Sequence, residues 1–91
     1  MEFYDIGIFN NSHLLIRAEE VFGFGEYIES WITSTQYVKL YAYSNYYVEV
    51  RYDNKTKNIA DVKGINVDKA IQKYVSYTEF ENELRDIYKK I

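Results

Sequence analysis

Tyr37-Val38-Lys39-Leu40-Tyr41-Ala42-Tyr43, then Ser44-Asn45, then Tyr46-Tyr47-Val48-Glu49-Val50-Arg51-Tyr52 is the stretch that decides the fold. Strand side chains alternate between two faces, so a period of two marks a strand. In the first run Val38, Leu40 and Ala42 share one side, and Tyr37, Lys39, Tyr41 and Tyr43 the other. In the second, Tyr46, Val48, Val50 and Tyr52 form the apolar side, with Tyr47, Glu49 and Arg51 opposite. Both runs are rich in β-branched and aromatic residues, which suit a pleated, half-buried surface. Two residues between alternating runs is hairpin spacing, and Asn45 tolerates a positive φ. The expectation is that Val38 and Leu40 join Val48 and Val50 on a buried side. Tyr37, Lys39, Tyr41, Tyr43, Tyr47, Glu49 and Arg51 would then lie together on the outer side.

Working outward, Asp53-Asn54-Lys55-Thr56-Lys57-Asn58 reads as a second turn, since Asp and Asn bond nearby backbone. Residues 59–63 return as a third strand whose alternation is imperfect, as a bulge would make it. Before the hairpin, Tyr27 to Thr33 alternates; Trp31 and Ile32 also suit a helix ending, with Gly23-Phe24-Gly25 as a kink, but the strand is preferred. His13 to Phe22 is an amphipathic helix, with Leu14, Leu15, Ala18, Val21 and Phe22 on the apolar side and Gly23 at its end. Asn10-Asn11-Ser12 offers its N-cap. Residues 2–9 fit two patterns: Tyr4, Ile6 and Ile8 alternate, while Phe3, Ile6 and Phe9 share a helical side. The extended form is slightly preferred. After the sheet, Asp68 is placed as the cap of a helix over 68–75, and Thr78-Glu79-Phe80-Glu81 as a capping box opening a helix over 78–90. The fold class is α+β in two layers. An antiparallel meander of three to four strands over 26–63 packs against the helix at 13–22 and one or two C-terminal helices.

With 91 residues the chain makes one domain, and 47% apolar residues permit a core. There is no cysteine, which excludes disulfides, thiolate metal sites and cysteine nucleophiles. No leader peptide or membrane span is read, so a cytoplasmic location is expected. A net charge of −3 opposes non-specific nucleic-acid binding.

Motifs that carry chemistry are sparse. His13 is the only histidine and sits next to a helix start among leucines, where a surface or capping role is expected over a general base or metal ligand. Glu19 and Glu20 are adjacent and point apart on a helix, so they are not an acid–base pair. Gly23-Phe24-Gly25 lacks the third glycine and the preceding strand of a phosphate loop. Glu49 suits a cross-strand pair with Lys39. No cofactor, metal or small-molecule ligand is implied, and the chain reads as non-catalytic.

What stands out is tyrosine. Of eleven, six lie in the central hairpin: Tyr37, Tyr41, Tyr43, Tyr46, Tyr47 and Tyr52. Tyrosine presents a large contact area at low entropic cost and is enriched with Arg at protein interfaces. The leading expectation is a protein-interaction module, binding a partner or a second copy through Tyr37, Lys39, Tyr41, Tyr43, Tyr47, Glu49 and Arg51. Base stacking on single-stranded nucleic acid is the alternative, weakened by the charge balance. A small ligand-binding or enzymatic pocket between sheet and helices is a third.

Overall fold

The computed structural model describes residues 3–73. Its elements are α1 (Ile6–Asn11), α2 (Leu14–Phe24), β1 (Glu26–Ile32), β2 (Gln36–Tyr43), β3 (Tyr46–Asp53) and β4 (Ile59–Ile65). The strands form one antiparallel sheet in the order β1-β2-β3-β4. A layer formed by α1 and α2 lies on one side of it, in a two-layer α+β arrangement. Residues 67–73 are helical, and the expected helix over 78–90 lies outside the described residues.

The hairpin between β2 and β3 closes with Tyr43 opposite Tyr46. Partners directly across an antiparallel pair share a face. Odd-numbered residues of β2 therefore share a face with even-numbered residues of β3. Tyr37, Lys39, Tyr41 and Tyr43 lie opposite Tyr52, Val50, Val48 and Tyr46, while Val38, Leu40 and Ala42 lie opposite Arg51, Glu49 and Tyr47. This corrects the expected grouping, which joined Val38 and Leu40 to Val48 and Val50. The cause is the two-residue loop itself: its flanking residues are three apart, so parity flips across it. Only Ser44 in that loop has a positive φ, 54°, where Asn45 was the expected position.

Val38 and Leu40 are buried as expected, but on the second face, while the first face carries the main core cluster. Phe9, Ala18, Val21, Tyr43, Tyr46, Val48, Val50 and Val62 form one buried cluster, flanked by Ile6, Leu14, Tyr41, Tyr52 and Ile59. Phe9 packs its ring against both Tyr43 and Tyr46, with centroids 5.4 and 5.9 Å away. That anchoring explains why 6–11 is helical rather than extended: Ile6 and Phe9, three apart, then meet the sheet together. Asp5 caps α1 by accepting the Ile8 N–H.

The α2 helix buries Ala18 and Val21 but leaves Leu15 66% and Phe22 46% exposed, a narrower apolar stripe than expected. Its N-cap is His13, whose Nδ1 accepts the Leu15 N–H, rather than Asn10, Asn11 or Ser12. The helix runs through Gly23 to Gly25, whose N–H bonds the Val21 carbonyl at 2.8 Å. A Cβ at Gly25 would lie 2.5 Å from that same oxygen, so the tight exit depends on glycine there.

Asn10, freed from capping, meets the outer strand. Its Nδ2 donates to the Gly64 carbonyl at 2.9 Å, and its Oδ1 accepts the Gly64 N–H at 2.7 Å. The Arg17 guanidinium donates to the Val62 carbonyl at 2.7 Å. These bonds satisfy backbone groups that β4 turns away from β3, where an edge strand otherwise offers itself for pairing.

Both outer ladders carry an irregularity. In β1, Tyr27 pairs with Tyr41 and Glu29 with Leu40, leaving Ile28 as an extra residue. In β4, Ile59 pairs with Tyr52 and Asp61 with Arg51, leaving Ala60 over, the bulge anticipated for this strand. The 67–73 helix is capped by Asn66, whose Oδ1 accepts the Lys69 N–H, instead of by Asp68. Its Lys73 reaches Glu49 on the second face of the sheet. No helix is long and apolar enough to cross a membrane among the described residues.

Replacing Asn10 by Ala should lower the unfolding free energy by about 2 kcal/mol, since two bonds vanish and a strand amide and carbonyl lose their partners. Urea denaturation measures the loss, and increased aggregation should accompany it. Ser44→Gly should instead stabilise the fold by about 0.5–1 kcal/mol, because glycine adopts a positive φ without a Cβ penalty. A lower urea midpoint for that variant would contradict the reading of the turn.

Candidate functional site: the open end of the helix-covered face

The register separates the seven candidate residues into three environments. Tyr37, Lys39 and Tyr41 lie on the helix-covered face and are half-buried. Tyr43 lies on the same face but is 1% exposed, inside the core. Tyr47, Glu49 and Arg51 are on the second face. The expected seven-residue outer surface is therefore not one surface.

Tyr43 is a structural residue. Its hydroxyl accepts the Tyr4 N–H at 3.1 Å and donates to the Glu20 carboxylate at 3.0 Å. Tyr46 beside it donates to the Tyr4 carbonyl at 2.7 Å. The two phenols tie the N-terminal segment to the hairpin. Burial pushes both above the ordinary tyrosine value, and for Tyr46 the neighbouring Tyr43 adds to the rise.

On the second face Glu49 is 3% exposed and holds two cations. Its Oε2 lies 3.0 Å from an Arg51 Nη2 and 2.8 Å from Lys73 Nζ. Arg51 also donates to the Gln36 side-chain oxygen at 3.0 Å. The cross-strand pair expected between Glu49 and Lys39 does not form, because Lys39 is on the other face, opposite Val50. A buried carboxylate needs compensation of this kind, and the cluster matches that structural requirement. Neither Glu49 nor Arg51 is placed beside Tyr37, Lys39 or Tyr41.

What remains is a strip at the end of the first face away from the Tyr43–Tyr46 turn. The helices do not reach it, because α2 crosses the sheet from β4, where Arg17 bonds Val62, to β2, where Phe22 meets Tyr41, instead of running along a strand. Beyond them Tyr27 stacks edge-on against Tyr41, with centroids 5.8 Å apart, and Phe22 meets Tyr41 at 5.9 Å. Ser30 Oγ accepts from both the Tyr27 and Tyr37 hydroxyls, at 2.8 and 3.0 Å. Lys39 Nζ sits over the Tyr37 and Tyr52 rings, 5.7 and 5.5 Å from their centroids. Ile32, 74% exposed, borders the end of the strip. Burial raises the Tyr41 pKa, an effect opposed by the Lys39 charge.

Tyr27, Ile32 and Tyr52 join this surface although the sequence reading did not place them there. Hairpin parity would have found Tyr52, because a two-residue loop sets it opposite Tyr37. Tyr27 was hidden by the Ile28 bulge, which puts it on the face opposite to Glu29 and Trp31. The strip can supply aromatic contact area and a cation. No group of three or more His, Cys, Asp or Glu residues placed to hold a metal ion occurs among the described residues.

Alkaline titration tests the division between core and strip. The folded pKa of Tyr43 and of Tyr46 is raised, so their stabilising contribution is complete below pH 10.0 and is lost as pH rises through the folded values. Ultraviolet titration should show a late-ionising class that disappears in the Tyr43→Phe/Tyr46→Phe double variant, with stability falling above about pH 10. Comparison with protein-family models, curated proteins and solved structures gives no match to this chain.

Proposed function

We propose that the chain is a small non-catalytic interaction module that binds a protein partner through the open aromatic strip. The observation that carries this reading is the preorganisation of the strip. Tyr27 and Tyr37 are pinned through Ser30, and Lys39 is held between two rings. Aromatic side chains fixed before binding lose little entropy on contact, which is what makes them efficient anchors. The polar hydroxyls let these rings rest in water, while their faces still gain from burial. A cytoplasmic setting fits a chain without cysteine.

The strip is narrower than the surface expected from periodicity: it keeps Tyr37, Lys39 and Tyr41 and lacks Tyr43, Tyr47, Glu49 and Arg51. Compared with nucleic-acid readers, it has few cations along its length: Lys39 is the one among Tyr27, Ser30, Ile32, Tyr37, Tyr41 and Tyr52. Phosphate-backbone binding draws on many such charges. Protein contact needs mainly area and a few well-packed anchors.

Peptides displayed on phage and selected on the immobilised protein test the reading. Bound peptides should shift the backbone amide signals of residues 27–32, 37–41 and 52. Tyr41→Ser should weaken them roughly tenfold or more. Selection that enriches nothing, or binders that map to the second face, would sink the proposal. Light scattering over a concentration series identifies a second copy as the partner if the mass of the wild type grows and that of Tyr41→Ser does not.

A further inference from the structure

Beside the strip, an open cavity of about 270 Å³ lies at the far end of the sheet, between the strands and the β3–β4 turn. Ile32, Tyr37, Lys39 and Tyr52 contribute from the sheet, and Asn54 and Lys57 from the β3–β4 turn. That turn is joined to the loop between β1 and β2. The Asn54 N–H donates to the Thr35 carbonyl at 3.2 Å, and its side-chain amide to the Thr33 carbonyl at 3.1 Å. The cavity wall is thus tied across two connections rather than hung on one.

Its charge runs against that of the chain. Lys39 and Lys57 line it with a single carboxylate, Asp53, in a protein of net charge −3. Asp53 is already engaged: one of its oxygens accepts the Lys55 and Thr56 N–H groups at 2.8 and 2.9 Å. Those backbone bonds, chiefly that from Thr56, hold its carboxyl below the ordinary aspartate value. Neither lysine lies within ion-pair distance of a carboxylate among the described residues, although the Lys57 charge also acts on Asp53. Lys39 rests on two rings, and Lys57 stands on a backbone φ of 65°. That left-handed conformation is costly for a residue with a Cβ, and the position would suit glycine or asparagine better. Strain at a cavity wall points to a role for the side chain it carries.

We propose that this cavity docks an acidic peptide segment, one apolar side chain seated against Ile32, Tyr37 and Tyr52 and neighbouring carboxylates on Lys39 and Lys57. The inference rests on the strip being a protein-binding surface and specifies its partner. The volume falls below the roughly 300–1,000 Å³ of sites for drug-sized ligands, which favours a single side chain over a whole cofactor. Two ammonium groups flanking an aromatic floor match carboxylates on either side of an apolar residue. They are too few to track a nucleic-acid backbone. The cavity opens directly onto Tyr37 and Lys39 of the strip, so a segment anchored there continues over Tyr41 and Tyr27.

Fluorescence anisotropy with three labelled probes tests this: a short peptide alternating glutamate and phenylalanine, its serine/phenylalanine counterpart, and a single-stranded oligonucleotide. The acidic peptide should bind on the order of tenfold more tightly than the serine peptide, and added salt should narrow the difference. Lys57→Gly should weaken the acidic peptide about fivefold while leaving the serine peptide unchanged. Because glycine relieves the φ of 65° at that position, the variant should melt no lower than the wild type, so weaker binding cannot be ascribed to unfolding. Lys39→Gln should act in the same direction. Equal binding of the acidic and serine peptides, both lost in Tyr41→Ser, would overturn the acidic preference and leave the interaction surface standing. Preferential binding of the oligonucleotide, or no binding of either peptide, would overturn both.

Discussion

The pairing of Tyr43 with Tyr46 across a two-residue loop is the constraint from which the rest of the structure follows. It sets the β2–β3 register, and register determines which side chains share a face. With Tyr43 and Tyr46 facing inward, Phe9 has two rings to pack against, and 6–11 coils into a helix to deliver it. The same parity carries Lys39 and Tyr37 to the helix-covered face and sends Glu49 and Arg51 to the other. A phenol can be buried at this corner because each hydroxyl finds a partner: Tyr43 at Tyr4 and Glu20, Tyr46 at Tyr4. Without those partners the same packing would strand two polar groups in an apolar core.

The second organising element is the course of the helices. Helix α2 crosses the sheet from β4 to β2 instead of running along a strand, so the face divides into a sealed region and an open one. Glycine lets the sealed region close. A Cβ at Gly64 would sit 3.1 Å from both Ile6 Cγ1 and Tyr46 Cε2, so the small residue is what allows α1 to settle onto β4. The open region instead satisfies its polar groups laterally, through Ser30 between two hydroxyls and through Lys39 over two rings. Tyrosine thus lines the open region at one end and seals the core at the other, on the same face.

Much of this was legible in the sequence. Alternation located β2 and β3, turn chemistry located Asp53–Asn58, and the apolar period of α2 was plain from residue 14 onward. The grouping of faces was also legible, but it requires counting across the loop rather than matching greasy runs. Val38 and Leu40 look as though they belong with Val48 and Val50, and only the three-residue step from Tyr43 to Tyr46 separates them. Other features were beyond reach for local reasons. The Ile28 bulge reassigns Tyr27, and a period-two reading has no means to see an extra residue. Leu15 and Phe22 fit the stripe of α2 by spacing, yet it is Leu14, Ala18 and Val21 that pack into the core, while Leu15 stays exposed and Phe22 touches the sheet at the Tyr41 ring with half its surface in water. The cavity is made by three strands and the β3–β4 turn, pieces distant in sequence of which none alone contains a recognisable motif.

The interruptions at Ile28 and Ala60 have a bearing beyond local geometry. Both fall in the outermost described strands, while the central β2–β3 ladder runs without a break. A bulged border twists away and cannot present a straight row of amides and carbonyls to a neighbouring sheet. Many β-proteins guard their margins with proline, and this chain contains none. One supernumerary residue in each outermost described strand takes that part here, and works against a tyrosine-rich sheet extending from molecule to molecule.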